Sequence, residues 1–454
     1  MSETSILGLG ASGRAAARLV LNKGGEVYVS DTNPDASTAA RGAELRELGA
    51  DVQLGSHDLD RIARSRTVVA SPGIPPDAPV LEGLRARGVR WISELELAFR
   101  FFQGPLIAVT GTNGKTTTSA LTAHLLREGG LDVALGGNIG AGMGPAASEL
   151  ALRETPPDWY VVEASSFQLA DIESFRPDIG VLTNLAPDHL DRYADVGAYY
   201  ADKARLFENA DDASRWVLNA DDEPSLRLAG GVPGDRWLFS AAGKEVEGAT
   251  LRGGDLVLRV GSAEEPLLER AELPLLGTHN VANALAAAVA SCLAGISSDR
   301  IAAGLRTATP LPHRLEPVAE SGGVLWVNDS KATNVAAAVS AVTSFDRPLV
   351  VLLGGKDKGE DLSPLREALK GRARAVLAYG AAGGRIADQI GKELPVQRVE
   401  GAFESVTRLA ADLALRGDVI LLAPACSSFD MFRDYEERGR RFTALARAAA
   451  SELR

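Results

Sequence analysis

The chain is 454 residues long, room for about two to four domains, and its 24% charged and 45% apolar residues are ordinary for a globular protein. A net charge of −12 argues against a nucleic-acid partner, and no apolar run approaches the ~20 residues of a membrane span. The start has no basic segment leading into an apolar stretch, and two cysteines, Cys292 and Cys426, leave neither a disulfide framework nor a Cys-rich metal site, so a cytoplasmic protein is expected.

The first predicted strand, TSIL, runs into Gly8, Gly10 and Gly13 and then a helix, RAAARLVLNKG. A second strand, EVYVS, ends at Asp31, about where a dinucleotide-binding unit keeps an acid for a ribose. By itself this fingerprint is weak, and it favours another nucleotide over NAD by about two to one. The first block closes near Phe101 with ISELELAFRFF, read as helical.

A new strand, PLIAV, then enters the turn TGTNGKT and a helix. Gly111 and Gly114 let several backbone N–H groups converge at a helix N-terminus, Lys115 adds a point charge, and the Thr116 hydroxyl can reach a magnesium ion. The pattern departs from the Walker A template in having Val109 where a glycine belongs. The plain alternative is a glycine-rich turn with a surface lysine; the strand before and the helix after favour ATP.

Ligands of open α/β sheets bind beyond the carboxyl ends of the strands, so the residues after each strand carry the next expectations. DWYVVEASSFQL ends a strand on Glu163, followed by Ser165 and Ser166. A glutamate there is costly unless paired, which favours a magnesium ligand over a buried structural acid. IGVLTNLAPDHLDRY brings Asn184, Asp188 and His189 to the same edge; His189 reads equally as a ligand or as a satisfied histidine. The stretch 246–277 alternates in a β manner and predicts an antiparallel patch. GTHNVANALAAA places Asn280 and Asn283 on one helix face, for capping or for amide contacts to a nucleotide.

The Pro-rich joint TPLPHRLEP opens a third block. Its strand ends carry Asp329, Ser330, Lys331, Thr333 and Asn334, then Gly354, Gly355, Lys356 and Lys358, then Ser427, Ser428 and Asp430. Charge runs are usually solvated faces, but lysines at several strand ends of one sheet suggest an anionic ligand. Alternating strands and Ala-rich helices predict three α/β blocks, 1–101, 102–309 and 310–454.

Taken together, GTNGKTTT, EASSFQL, TNLAPDHLDRY, THNVANALAAA, LPHR and DSKATN resemble the Mur ligases of peptidoglycan synthesis. GLGASG, SPGIP (Ser71 to Pro75) and PACSSFDMF are similar to the branch that joins D-glutamate to UDP-N-acetylmuramoyl-L-alanine. The resemblance covers essentially the whole chain, and Val109 is a habit of that family. It implies a Rossmann-like N-terminal domain, a P-loop ATPase-like central domain and a Rossmann-like C-terminal domain in a monomer.

The resemblance also implies two nucleotides. The UDP-linked substrate would meet Gly10, Ala11, Ser12 and Gly13 at its diphosphate. Asp31, Thr32, Ser71 and Gly73 would fix the uracil end, and Asn138 and Ser165 would touch the rest of it. ATP would sit on Gly111, Thr112, Asn113, Gly114, Lys115, Thr116 and Thr117, with Asn280, Asn283, Arg314, Asp329 and Lys331 contributing. Two magnesium ions are implied, one on Thr116 and Glu163, the other on His189 and a carbamylated Lys203. From local pattern alone Lys203 is a surface helix lysine. D-Glutamate would be held by Thr333, Lys358 and Ser428 beside Tyr435, a position where relatives often have phenylalanine. Rival readings are a sister ligase with another amino acid, an NAD-dependent oxidoreductase fused to an ATPase, and a non-catalytic nucleotide sensor.

Overall fold

In the computed structural model, residues 3–140, 143–189, 192–260 and 263–452 are described. The chain is a three-domain α/β protein with three sheets, and it divides into two compact units. One unit comprises Met1–Arg270 and Ala282–Arg306, the other Ala271–Val281 and Thr307–Arg454.

The first sheet holds β1 (Thr4–Leu7), β2 (Val27–Asp31), β3 (Asp51–Leu54), β4 (Thr67–Ala70) and β5 (Ile92–Ser93), in the order β3-β2-β1-β4-β5. All its pairs are parallel, and the order reverses direction between β1 and β4, the switch point at which such sheets bind ligands. The helix after β1 is Ala11–Asn22, so Gly13 lies inside its first turn rather than before it. The stretch expected to close the block as one helix is split. Ile92 pairs with Val69 in the sheet, and Ser93 caps a six-residue helix, Glu94–Phe99, by accepting from the Glu96 N–H at 3.2 Å.

The same unit holds β6 (Leu106–Thr110), β7 (Val133–Gly137), β8 (Trp159–Glu163), β9 (Ile179–Leu182), β10 (Arg215–Asn219), β11 (Asp235–Ser240), β12 (Gly248–Arg252), β13 (Asp255–Val260) and β14 (Ala263–Glu269). Their order is β14-β13-β12-β11-β10-β9-β6-β8-β7. The pairs from β7 through β12 are parallel, and β12, β13 and β14 form the antiparallel patch. Gly261 and Ser262, in the middle of that stretch, lie outside the described residues. Every residue of β6 and β8 is buried, as helices on both faces of a parallel sheet require. Burial of each such Val, Leu or Ile contributes about 1.5–3 kcal/mol.

The second unit has its own sheet of β15 (Glu316–Ser321), β16 (Val324–Asn328), β17 (Leu349–Gly354), β18 (Ala373–Tyr379), β19 (Val396–Val399) and β20 (Val419–Leu422). The order is β15-β16-β20-β17-β18-β19, with β15 alone antiparallel. Two buried clusters cover its faces, one around Val351, Leu353 and Leu421, the other around Trp326, Leu352 and Phe442. Among the described residues no helix is long and apolar enough to cross a membrane.

Candidate active site

β6 delivers the chain into the loop 111–114, and the helix Lys115–Glu128 starts at once. Gly111 (φ 139°) and Gly114 (φ 84°) adopt conformations that side chains resist, and a Cβ on either would strike Thr183 or Asn283. The loop is braced from the β9 exit. Asn184 accepts from the Thr112 N–H through its carbonyl (2.8 Å) and from the Asn113 N–H through its side chain (3.0 Å). Lys115 Nζ curls over the loop, donating to the carbonyls of Gly111 (3.0 Å) and Thr112 (2.8 Å). Thr116 and Thr117 are buried in the first helical turn, and Thr118 Oγ1 donates to Asn283 Oδ1 at 3.2 Å. Asn283 therefore supports the loop from a second helix.

Glu163 ends β8 next to this loop, because Val109 of β6 is its register partner. Its side chain is 3% exposed; Oε1 accepts from Asn138 Nδ2 at 3.3 Å, while Oε2 is buried with no hydrogen-bond partner. A buried carboxylate oxygen without a donor suits a cation, and a magnesium ion that keeps substrate oxygens and waters needs only one or two such protein ligands. Among the described residues no three His, Cys, Asp or Glu side chains converge as a closed metal cage. Asn138, expected on the UDP-linked substrate, is thus brought to Glu163. Ser165 follows; its hydroxyl caps a short helix, accepting from the Gln168 N–H at 3.3 Å.

Lys203 overturns its surface reading. It is 1% exposed, and its Nζ donates to the Gly111 carbonyl at 2.7 Å and lies 4.7 Å from the centre of the Tyr199 ring. Burial, and then the Lys115 cation, push its pKa well below the usual lysine value, against the pull of Asp188, Glu163 and Asp202. Tyr199, one helical turn earlier, donates its phenol to Thr112 Oγ1 at 3.3 Å. His189 stands at the same edge with φ 55°, its ring edge-on to Phe167 (5.1 Å) and 5.9 Å from Tyr199. Leu190 and Asp191 of the same motif lie outside the described residues.

In the first sheet, the amides of Ala11, Ser12 and Gly13 open a helix whose N-cap, Gly10, offers no capping side chain. Gly13 packs against the Gly8 carbonyl, where a Cβ would clash. Asp31 braces the loop, accepting from the Leu9 N–H at 2.6 Å and the Asn33 N–H at 2.8 Å. Thr32 follows it, and Ser71 and Gly73 lie in the loop after β4, where Ser71 Oγ donates to the Gly8 carbonyl at 3.4 Å.

In the second unit, Asn280 sits inside the helix Thr278–Leu293 and is not its cap; Nδ2 donates to the Leu276 carbonyl at 2.7 Å. Burial pushes Asp329 up to about 7, opposed by its bond from the Leu315 N–H and by the nearby Arg314. Lys331 Nζ lies 4.0 Å from the centre of the Tyr435 ring. Lys356 and Ser427 exchange backbone hydrogen bonds (2.8 and 3.2 Å), which sets the loop of exposed Lys358 beside the loop of buried Ser428. Thr333 closes a tight turn onto the Lys331 carbonyl at 2.7 Å. Arg438, which the sequence did not single out, is fully buried and joins these loops. It donates to the Ser330 hydroxyl (2.9 Å), the Ser330 carbonyl (2.8 Å) and the Cys426 carbonyl (3.2 Å). The signal for Arg438 was its place three residues after Tyr435, on the same helix face.

Three family models match in chain order: the Mur ligase MurD-like N-terminal domain over 2–93, the Mur ligase middle domain over 109–291, and the Mur ligase glutamate ligase domain over 313–426. The chain is 41% identical over 447 residues to a UDP-N-acetylmuramoylalanine–D-glutamate ligase of Acidobacterium capsulatum, covering 98% of this chain and 95% of that one. It is 40% identical to the enzyme of the same name from Koribacter versatilis, covering 98% and 97%. Among solved structures, a pseudomurein peptide ligase type C from Methanothermus fervidus superposes with a TM-score of 0.61 at 21% identity over all of both chains. A MurF ligase from Thermotoga maritima in complex with ADP gives 0.60 at 17% identity, over 87% of this chain and 91% of that one. At those identities the structures speak for the fold. On the full-length likeness to the two curated enzymes, with its own phosphate loop and strand-end acid in place, the chain belongs to the Mur ligase family.

Proposed function

We propose that the chain is an ATP-dependent ligase that joins D-glutamate to the alanine carboxylate of UDP-N-acetylmuramoyl-L-alanine. The observation that carries this reading is the pairing of a P-loop with a buried, half-satisfied Glu163 and a buried Lys203 on one sheet edge. The curated relatives supply the amino acid and the acceptor. The three domains would span 1–101, 102–309 and 310–454, each holding one of the three sheets.

A carboxylate does not acylate an amine until one of its oxygens can leave. The alanine carboxylate attacks the γ-phosphorus of ATP, the bond to the β-phosphate oxygen breaks, and ADP departs. The D-glutamate amine then adds to the acyl phosphate carbonyl, and phosphate leaves the tetrahedral intermediate. Negative charge gathers on phosphoryl oxygens in the first step, so the positioned cation of Lys115 stabilises the transition state there. Thr116 and Glu163 would hold one magnesium ion, and His189 with Lys203 a second; such ions draw charge from phosphoryl and acyl oxygens. Lys203 can contribute only after losing its positive charge. Its burial favours the neutral amine, which can add to carbon dioxide, release a proton and become an anionic carbamate. Thr333, Lys358, Ser428 and Tyr435 would receive D-glutamate, Lys358 as a cation for its carboxylates, while Lys331 would contribute on the ATP side.

The UDP-linked half of the substrate would use Gly10, Ala11, Ser12 and Gly13, with Asp31, Thr32, Ser71 and Gly73 at its far end. An open helix N-terminus suits a diphosphate. Phosphate release, measured with UDP-N-acetylmuramoyl-L-alanine, ATP and each of several amino acids, tests the reading. D-Glutamate should support turnover and L-alanine, glycine and diaminopimelate should not. Turnover with a different amino acid, or none with D-glutamate, overturns it.

A further inference from the structure

His189 has a left-handed backbone (φ 55°), and its carbonyl accepts from the Arg192 and Tyr193 N–H groups at 2.9 and 3.1 Å. The Arg192 side chain reaches into the first domain. Nη1 donates to the Pro72 carbonyl at 3.1 Å and Nη2 to the Ile74 carbonyl at 2.9 Å, both in the loop that follows β4. Its guanidinium lies 4.0 Å from the centre of the Phe167 ring, the same ring that meets His189 edge-on and stacks on Tyr193 at 5.6 Å. Arg192 Nε is buried with no hydrogen-bond partner, and among the described residues the side chain makes no ion pair. What it supplies is a flat, rigid fork that fixes two carbonyls on one side and an aromatic face on the other.

We propose that Arg192 is a positioning residue that ties the substrate loop Ser71–Pro75 to His189. The contact path is short: loop carbonyls, guanidinium, Phe167 ring, His189 ring. Its main-chain N–H closes the second route, onto the His189 carbonyl itself. Moving the loop therefore moves the His189 side of the phosphoryl-transfer site, while the loop 111–114, braced separately by Asn184 and Asn283, stays where it is. This rests on the ligase reading above, because it takes the β4 loop as the seat of the UDP-linked substrate.

Steady-state kinetics of Arg192→Lys, with wild type alongside, test the tie. Lysine keeps the charge and loses the fork. The expected result is a kcat lower by about tenfold to a hundredfold, the usual consequence of misplacing a reacting group by an ångström or less. KM for the UDP-linked substrate should rise about fivefold, from the loss of one or two hydrogen bonds, and KM for ATP should stay within about twofold. Added guanidinium ion should restore part of the lost kcat in Arg192→Ala, which a general loosening of the fold would not permit. Phe167→Leu keeps the carbonyl bonds but removes the ring, and it should raise the magnesium concentration needed for half-maximal rate. A wild-type kcat in Arg192→Lys overturns the proposal, and so does an equal rise in both KM values. Should Arg192→Lys fail to fold, a wild-type magnesium dependence in Phe167→Leu overturns it instead. Inactive wild type overturns the ligase reading itself, so the two failures are told apart.

Discussion

A carboxylate oxygen buried without a donor, as at Glu163 Oε2, costs about 1–3 kcal/mol in the ligand-free protein. Glu163→Gln should therefore leave the free enzyme as stable as wild type or more so, with a higher melting temperature, and yet abolish magnesium-dependent turnover. A lower melting temperature would make Glu163 a structural acid. Lys203 makes the complementary case. Lys203→Ala should stop acyl phosphate formation, and acetate or formate, standing where the carbamate would be, should restore part of the rate with little benefit to wild type. Full activity in that variant would remove Lys203 from the chemistry. Arg205 cannot substitute, since its guanidinium donates to the carbonyls of Ala170 and Ile172 and pairs with Glu208. The P-loop and Glu163 were legible from spacing and from an acid at the end of an apolar strand. The burial of Lys203 was not, because a lysine on a helix is usually solvated, although Tyr199 four residues earlier shares its inward face. The resemblance named Lys203, and the fold buries it against the Gly111 carbonyl.

Between elements, the least legible feature was the link from the helix Glu94–Phe99 to the central sheet. ISELELAFRFF reads as one amphipathic helix, and nothing in its period shows that Glu96 turns inward. Its side chain is fully buried, and it accepts from the backbone N–H groups of Glu173 (3.1 Å), Ser174 (3.1 Å) and Phe175 (2.9 Å), from the Ser174 hydroxyl (2.6 Å) and from Arg100 (2.9 Å). Burial pushes its pKa up, but those donors outweigh burial and leave it below the usual glutamate range. A depressed carboxyl pKa adds stability that is fully present above the unfolded value, about 4.3, and is lost as pH falls through the folded value. Glu96→Gln should cost about 2–3 kcal/mol at neutral pH, as one amide oxygen and one misplaced N–H replace a charged acceptor of several bonds. The gap to wild type should narrow as pH falls below about 4.3, where the unfolded carboxyl takes up a proton that the folded one, held below that value, does not yet bind. Urea unfolding midpoints across that range check it; a gap independent of pH would show that packing, not charge, is what Glu96 provides. The antiparallel patch, by contrast, was plain in advance, since its alternation is a local pattern and needs no partner to be seen.

For the molecule as a whole, the ambiguous element was the opening GxGxxG, which by itself is weak and leaves both NAD and another nucleotide open. The structure shows why spacing cannot separate them: Gly8, Gly13 and Asp31 serve the loop's own geometry, Asp31 by holding the Leu9 and Asn33 amides, and any diphosphate would be met by the same helix N-terminus. What discriminates is the company the loop keeps, two further domains of a ligase in the family's order. Ligand-dependent melting then separates the sites. A ligand present at about a hundred times its Kd stabilises the folded state by about 2.7 kcal/mol through mass action. UDP-N-acetylmuramoyl-L-alanine should therefore raise the melting temperature and NADH should not. Lys115→Ala should keep the shift caused by the UDP-linked substrate and lose most of the shift caused by magnesium ATP, because its ammonium is bonded to the carbonyls of the loop 111–114. Phosphate release in the same variant should fall by about a hundredfold or more, as when other preorganised electrostatic donors are removed. A saturable NADH shift would return the first domain to dinucleotide chemistry. If both shifts vanish in Lys115→Ala, the two nucleotide loops are not independent sites.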